Sequence, residues 1–373
     1  MALPHLPSGT KKIQYRHLTS VVVREMLLSK NVTLKNFMIR IKSWEYWPFG
    51  VIQFPVMVYF LWLAFRARSL VFFSASNPGI VMGGMFGESK YEVLKKLPSR
   101  YIPVTALATP PFDGSCLTEL IQRAGLNLPV IFKPDLGERG FMVRRINTET
   151  EIDSYLAKMK YPFLVQELVD LPLELGVFYA RFPRHSKGRV TSVVMKEMLS
   201  VCGDGSSTLQ ELILKKDRAR LQWKALKKIY GCNLNDVVPA GQTVELVSIG
   251  NHCLGTKFLD GSHLINDRLS ATFDEISKQV EGFYFGRFDL RCASVEDLYN
   301  GNVKVLELNG CGAEPAHIYH PGYSLFKAIR VLLEHWRNIF LIARENARQG
   351  TSFIPLKEAR MHYRKFKAAT QPS

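Results

Sequence analysis

Two runs near residue 300 narrow the fold more than any other part of the chain. Phe283 to Leu290 and Val303 to Leu308 are apolar in continuous or alternating order, which marks them as β-strands. Set into them are one carboxylate, Asp289, and then a carboxylate and a carboxamide, Glu307 and Asn309. Side chains at i and i+2 of a strand share a face, so Glu307 goes with Asn309 and Arg287 with Asp289. If the strands pair, all four form one group. Oxygen donors of this kind suit Mg²⁺, a hard cation that keeps several waters and draws its other ligands from nucleotide phosphates. Taken alone, the same residues also fit two ordinary strands with a surface Asp and a turn Asn.

Upstream, strand Val130–Lys133 ends in a lysine and runs into a loop with Gly137 and Gly140. Glycines let backbone N–H groups approach phosphates, and the lysine adds a point charge. The Walker pattern is missing. A second apolar strand, Phe163–Glu167, reaches Gln166 and Glu167, a polar end that suits an adenine slot; taken alone, Glu167 and the later Glu174 also fit ordinary surface acids. Glu174 follows seven residues later, before another apolar run, where it can accept from ribose hydroxyls.

Around these lie further expected elements: a strand at Arg66–Phe73, helices at Lys90–Leu97, Thr118–Ala124 and Thr148–Met159, and strands at Val177–Arg181 and Val190–Met198. One basic helix is expected at Leu209–Tyr230, then a strand at Glu245–Ile249 and a helix at Ala271–Phe283. A long helix, Ser324–Gln349, precedes a loosely held basic tail from Thr351.

The order of these parts resembles the ATP-grasp superfamily, and within it the D-alanine–D-alanine-ligase-like and cyanophycin-synthetase-like carboxylate–amine ligases. The resemblance covers about residues 88–313. It extends to Gly203-Asp-Gly-Ser-Ser-Thr-Leu-Gln-Glu-Leu-Ile and to Gly250-Asn-His-Cys-Leu-Gly-Thr-Lys. It implies an α+β ATP-grasp fold, two β-rich lobes clasping ATP, behind a basic and hydrophobic N-terminal extension. It implies that Lys90 and Lys133 contact phosphates, and that Glu138, Arg139 and Gly140 belong to a mobile lid. Gln166, Glu167, Leu168 and Val169 would form the adenine hinge, with Glu174 on the ribose. Asp289, Glu307 and Asn309 would hold Mg²⁺, Arg287 would stabilise an oxyanion, and Lys196 or Lys257 would reach the γ-phosphate. ATP and Mg²⁺ are the implied cofactors. The implied reaction joins a small-molecule or lipid-linked carboxylate to an amine through an acyl phosphate. A kinase acting on a hydroxyl, or a non-catalytic nucleotide-binding protein at a membrane surface, are the alternatives. The chain departs from the pattern in its lid and in the close of its last motif, Glu-Leu-Asn-Gly-Cys-Gly, so its substrate pocket is not that of a D-alanine ligase.

Charge adds a second theme. The chain carries +16 over 373 residues, and residues 1–42 hold eight Lys or Arg against the single Glu25. Such a balance attracts polyanions; aromatic–basic patterns of an RNA binder are not evident, so nucleic acid is not expected. Six scattered cysteines without CxxC spacing, and no apolar stretch in the first 20 residues, point to a reducing cytoplasm. Residues 46–65 contain no charged side chain and reach the length of a membrane span. Pro48 and Pro55 are expected to disturb a continuous helix there. A single crossing would also place the basic arm outside, against the positive-inside rule. The segment is therefore either an interfacial or re-entrant one beside anionic lipid at the inner face of the membrane, or a buried apolar layer. The expected organisation is an arm over 1–43, a hydrophobic segment and first strand over 44–79, a lobe over 80–128, an ATP-grasp domain over 129–322, a helix over 323–349 and a tail over 350–373.

Overall fold

The computed structural model describes residues 33–137, 140–247 and 250–370. Most of the basic arm, and Glu138 and Arg139 of the expected lid, lie outside the described residues, as do Ser248 and Ile249. The chain divides into two compact units. Ser200–Leu246 joins the chain up to Trp47 in one; Pro48–Leu199 joins Val247 onward in the other.

The larger unit is mixed α/β. It opens with helix α1, Phe49–Ala67, followed by a short helix α2, Lys90–Leu94, whose N-cap Ser89 accepts from Glu92 N. Strands β1 (Thr105–Ala108), β2 (Val130–Pro134), β3 (Arg144–Ile146) and β4 (Phe163–Glu167) make an antiparallel sheet in the order β1-β4-β2-β3. Helices α3 (Gly114–Arg123) and α4 (Glu149–Leu156) bury Leu117, Ile121, Ile152 and Tyr155 against Phe132, Phe163 and Val165 of this sheet.

The second sheet is built from β5 (Leu173–Ala180), β6 (Arg189–Glu197), β7 (Lys257–Asp260), β8 (Phe285–Cys292) and β9 (Val303–Asn309), in the order β9-β8-β5-β6-β7 and antiparallel throughout. Alternation sorts its side chains. Leu175, Val177, Tyr179, Val193, Phe288 and Leu290 face helix α5 (Asp267–Lys278) and pack with its Leu269, Phe273 and Ile276. The opposite face is divided. At one end Phe178 and Phe285 meet helix α6 (Leu325–Arg348), where His335 lies 5.3 and 4.9 Å from their rings. At the other end the same face is charged.

Five expectations need correcting, the first being the strand expected at Glu245–Ile249, which instead runs Thr243–Glu245 and leaves Leu246 and Val247 outside it. Arg66–Phe73 is not a strand: α1 continues to Ala67, Arg68 closes it in the left-handed region at φ 54, and Phe72–Ala75 forms a 3₁₀ turn packed on α6. Short apolar runs do not declare their period. Pro48 and Pro55 do not interrupt the helix: Pro48 is its N-cap, and Pro55 removes one backbone bond while the packed inner side of α1 holds the rest. Leu209–Tyr230 is three helices, because Lys216 leaves helical geometry at ψ 115 and Gln222 at ψ 8. The tail is ordered as helix α7, Leu356–Thr370, which buries Ala359 and Ala369 and sets Tyr363 against Phe86 at 5.6 Å.

In the smaller unit, the Ser200–Cys202 and Thr243–Glu245 strands pair antiparallel, and Thr208 with Glu211 forms a capping box at the first of the three helices. The Gly203–Ile213 motif belongs to this unit. Its Asp204 accepts from the amides and hydroxyls of Ser206 and Ser207, which hold its carboxyl far below the usual range.

Candidate functional site

The charged half of the second sheet is where six of the predicted residues meet: Glu174, Lys196, Arg287, Asp289, Glu307 and Asn309. Register explains why. Asp289 stands opposite Gly176 on β5 and Glu307 on β9, while Arg287 stands opposite Asn309. Glu174 stands opposite both Arg291 and Lys196. A bulge then shifts β9, so that Leu290 pairs with Val305 and Leu306 is the extra residue.

Asp289 is the hub. Its carboxylate takes Arg287 in a fork, with Nη2 at 2.9 Å and Nε at 3.1 and 3.2 Å, Lys196 Nζ at 3.2 Å, and the Asn309 amide nitrogen at 2.9 Å. Burial alone would raise its pKa, but Arg287 and Lys196 outweigh this and hold it at about 2. Lys196 also pairs with Glu174 at 3.2 Å; burial disfavours its charge, yet Asp289 and Glu174 push its pKa up. Glu174 is tied on its other oxygen to Arg291 at 2.8 Å. Arg287 donates in addition to the Glu314 carbonyl at 2.9 Å. Gly176 is required beneath the fork: a Cβ there would stand 3.1 Å from Arg287 Cδ and from Asp289 Oδ1. Gly250 is required at the rim, where a Cβ would fall 1.9 Å from Glu174 Oε1.

Two lysines reach this floor from outside the sheet. Lys133, at the end of β2 in the first sheet, is buried and donates to Gln166 Oε1 at 2.9 Å and to the carbonyl of the bulged Leu306 at 2.8 Å. Burial pulls its pKa down to about 8; Glu307 opposes the shift and neighbouring Lys90 adds to it. Lys90, at the start of α2, donates to the Gly137 carbonyl and lies 3.7 Å from Glu307. Asp135 fixes that start, accepting from Ser89 Oγ at 2.9 Å and Tyr91 N at 3.0 Å. Five cations (Lys90, Lys133, Lys196, Arg287, Arg291) thus converge on three carboxylates (Glu174, Asp289, Glu307).

The remaining predicted residues are placed as follows. Gln166 is buried and its amide nitrogen donates to Thr105 Oγ1 at 3.0 Å, so its side chain is committed within the sheet. Glu167 accepts from Val104 N at 3.0 Å. Leu168 is half-buried, and Val169 offers its carbonyl to Arg291 at 3.0 Å. Gly140 begins the return towards β3 at φ 73. Lys257 is not brought in: it pairs with Glu197 at 3.3 Å, next in register to Lys196 and therefore on the opposite face. Two residues absent from the predicted set belong to the group. Arg291 could have been found, since it lies two positions beyond Asp289 on the same strand. Glu314, whose carboxylate accepts from Gln53 at 2.6 Å and Tyr319 at 2.7 Å, carried no local signal.

Among the described residues, no three His, Cys, Asp or Glu side chains stand together as a metal cluster. The set of Asp289, Glu307 and Asn309 nevertheless fits Mg²⁺, because that ion needs only one or two carboxylates when phosphates and water supply the rest. Glu307 is the more open of the two acids, one-third exposed, while Asp289 is enclosed by its cations. A cavity of about 470 Å³ beside α2, lined by Gly79, Glu88, Ser89, Asp135 and Tyr161 among others, contains none of the Asp289 group.

No family model and no curated relative matches the chain. Among solved structures it is similar to a bifunctional glutathione synthetase from Pasteurella multocida, at 16% identity and a TM-score of 0.35, over 66% of this chain and 36% of that one. It is similar to the VanG D-Ala:D-Ser ligase from Enterococcus faecalis, at 14% and 0.40, over 69% and 62%. It is also similar to the D-alanine–D-alanine ligase from Coxiella burnetii, at 13% and 0.37, over 77% and 62%. The matches span less than two thirds of each of these proteins. Likeness at this level carries no argument about chemistry, which rests on the residues themselves.

Proposed function

We propose that the larger unit is an ATP-dependent ligase of the ATP-grasp kind, joining a carboxylate to an amine with release of ADP and phosphate. The observation that supports it best is the meeting of Lys133 and Lys90 with the Asp289, Glu307, Asn309 group across two sheets. A surplus of fixed positive charge among largely buried side chains suits a polyphosphate. In this reading Lys90 and Lys133 hold phosphate oxygens, and the backbone from Gln166 to Val169 borders the adenine. Glu174, held by Lys196 and Arg291, faces the ribose. Mg²⁺, when bound to Asp289, Glu307 and Asn309, supplies neutralisation of phosphate charge. Arg287 is oriented by Asp289 and by the Glu314 carbonyl, so its guanidinium is fixed before any charge develops. Losing one such oxyanion donor costs roughly 3–4 kcal/mol. Lys196 shares Asp289 with Arg287 and would be the lysine that reaches the transferred phosphoryl group; Lys257, paired with Glu197 on the opposite face, would have no part in it. The substrates are a small-molecule or lipid-linked carboxylate and amine.

The test is product analysis. Purified protein is incubated with Mg-ATP and a pooled metabolite and lipid extract, and mass spectrometry follows what changes as ADP appears. A product equal to two substrates less water supports the ligase. A product heavier by one phosphoryl group replaces it with a kinase. Mg-ATP that is neither bound nor consumed refutes the site.

A further inference from the structure

Helix α1 is apolar on both sides. Its inner side, Ile52, Val56, Leu63 and Ala64, is buried, and Phe60 meets Trp336 of α6 at 4.9 Å. Its outer side, Val51, Phe54, Val58, Leu61, Trp62 and Phe65, is open to solvent, with Phe54 exposed at 70% and Phe65 at 82%. These outer residues recur at steps of three and four and so form one stripe. Gln53, the one carboxamide between residues 46 and 65, is turned inward and donates to Glu314 Oε1 at 2.6 Å. The stripe therefore carries no charge or amide until Arg66, whose guanidinium lies 4.9 Å from the Trp62 ring, with exposed Arg68 just beyond. Soluble proteins rarely leave a continuous apolar patch of this kind in water without a use for it.

We propose that the outer stripe of α1 docks on the surface of an anionic phospholipid bilayer. Charge selects this occupant. The stripe is followed by exposed Arg66 and Arg68, and the chain before it is strongly cationic through residue 42. Within the smaller unit, the helical residues 33–42 expose Leu34, Phe37, Met38 and Ile41 beside Lys35, Arg40 and Lys42, the same mixture of apolar and basic groups. Trp62 beside Arg66 is a pairing suited to headgroup depth. The packed inner side argues against a crossing, since a spanning α1 would have to leave Phe72 and Trp336. The helix lies along the interface. Through Gln53, Glu314 and Arg287 the docked helix also holds one end of the candidate site close to the bilayer; that extension rests on the ligase reading, whereas the docking does not.

Full-length protein is floated with vesicles of phosphatidylcholine, alone or with phosphatidylglycerol. Flotation is expected with the anionic vesicles, weakened but not abolished by salt. A Phe54→Ser, Leu61→Ser, Phe65→Ser variant, changed only at exposed positions, should lose at least about a hundredfold in partition with its melting temperature kept. In the unaltered protein, brominated acyl chains should quench fluorescence that Trp62→Phe removes. Absence of flotation, a triple variant that floats like the parent, or quenching indifferent to Trp62 overturns the proposal. So does stripe-dependent self-association without lipid binding, which would assign the face to a second copy of the chain. ATP consumption by the triple variant in vesicle-free buffer separates the two ideas: intact turnover with lost flotation supports docking and leaves the ligase reading standing.

Discussion

At the scale of single residues, Glu307 and Lys133 carry the sharpest consequences. Glu307→Gln keeps the shape of the side chain and removes one charge beside Lys90. It should abolish most ATP turnover while circular dichroism and melting stay near those of the parent, and unchanged turnover in a folded variant would refute the metal role. Lys133 has a folded pKa near about 8 against an ordinary 10.5. Between these values the unfolded chain holds a proton that the folded chain has released, so this group adds stability as pH rises through that window and costs it below. Bound phosphates favour the charged form. Nucleotide binding near pH 9 should therefore take up as much as about one proton, seen by calorimetry in buffers of different ionisation heat and lost in Lys133→Met. How far such residues can be read from sequence depends on whether their partners are local. Asp289, Glu307, Asn309 and Arg287 were legible because alternation within two strands fixes their faces. Lys196 and Lys257 looked equivalent, and only the pairing of Glu197 with Lys257 separates them. Glu314 was illegible because its partners, Gln53 and Arg287, come from distant segments.

At the scale of elements, caps and bulges do what propensity does not. The Thr208–Glu211 box starts a helix in the smaller unit, and Thr208→Ala should cost about 1 kcal/mol in urea denaturation. Helix α6 buries His335 between Phe178 and Phe285, and burial holds its pKa down at about 3. Its neutral form is the folded one, so stability should fall as pH drops from the ordinary value of 6.5 towards 3. His335→Phe should flatten that acid limb by as much as about 1.4 kcal/mol per pH unit, measured by denaturation at stepped pH. Most strands and the long α6 could be read from period and run length. The break at Lys216 could not, since no Gly or Pro marks it, and α7 could not, because its buried positions are only alanines. The bulge at Leu306 was also hidden, yet it supplies the carbonyl that receives Lys133.

At the scale of the molecule, the two sheets of the larger unit are joined through the site, so a ligand there should bind the folded state alone. Saturating Mg-ATP is expected to raise the melting temperature, and its stabilisation at one hundred times Kd would be about 2.7 kcal/mol; no shift and no heat of binding would refute the nucleotide reading. The same unit depends on contacts of very long sequence separation. Asn77, fully buried, gives its amide nitrogen to Gly83 O and Phe285 O, each at 2.8 Å, and its oxygen accepts from Tyr284 N at 2.8 Å and Phe285 N at 2.9 Å. Gln53 waits for Glu314, and Ala75 O for Asn346 at 2.8 Å. On the ribosome, which adds roughly 5–20 residues each second, the segment around α1 emerges well before those partners exist. For that interval of many seconds the helix has neither its inner packing nor its finished neighbours. The growing chain therefore carries an apolar helix with both sides bare until its later partners, Trp336 and Glu314 among them, have been made.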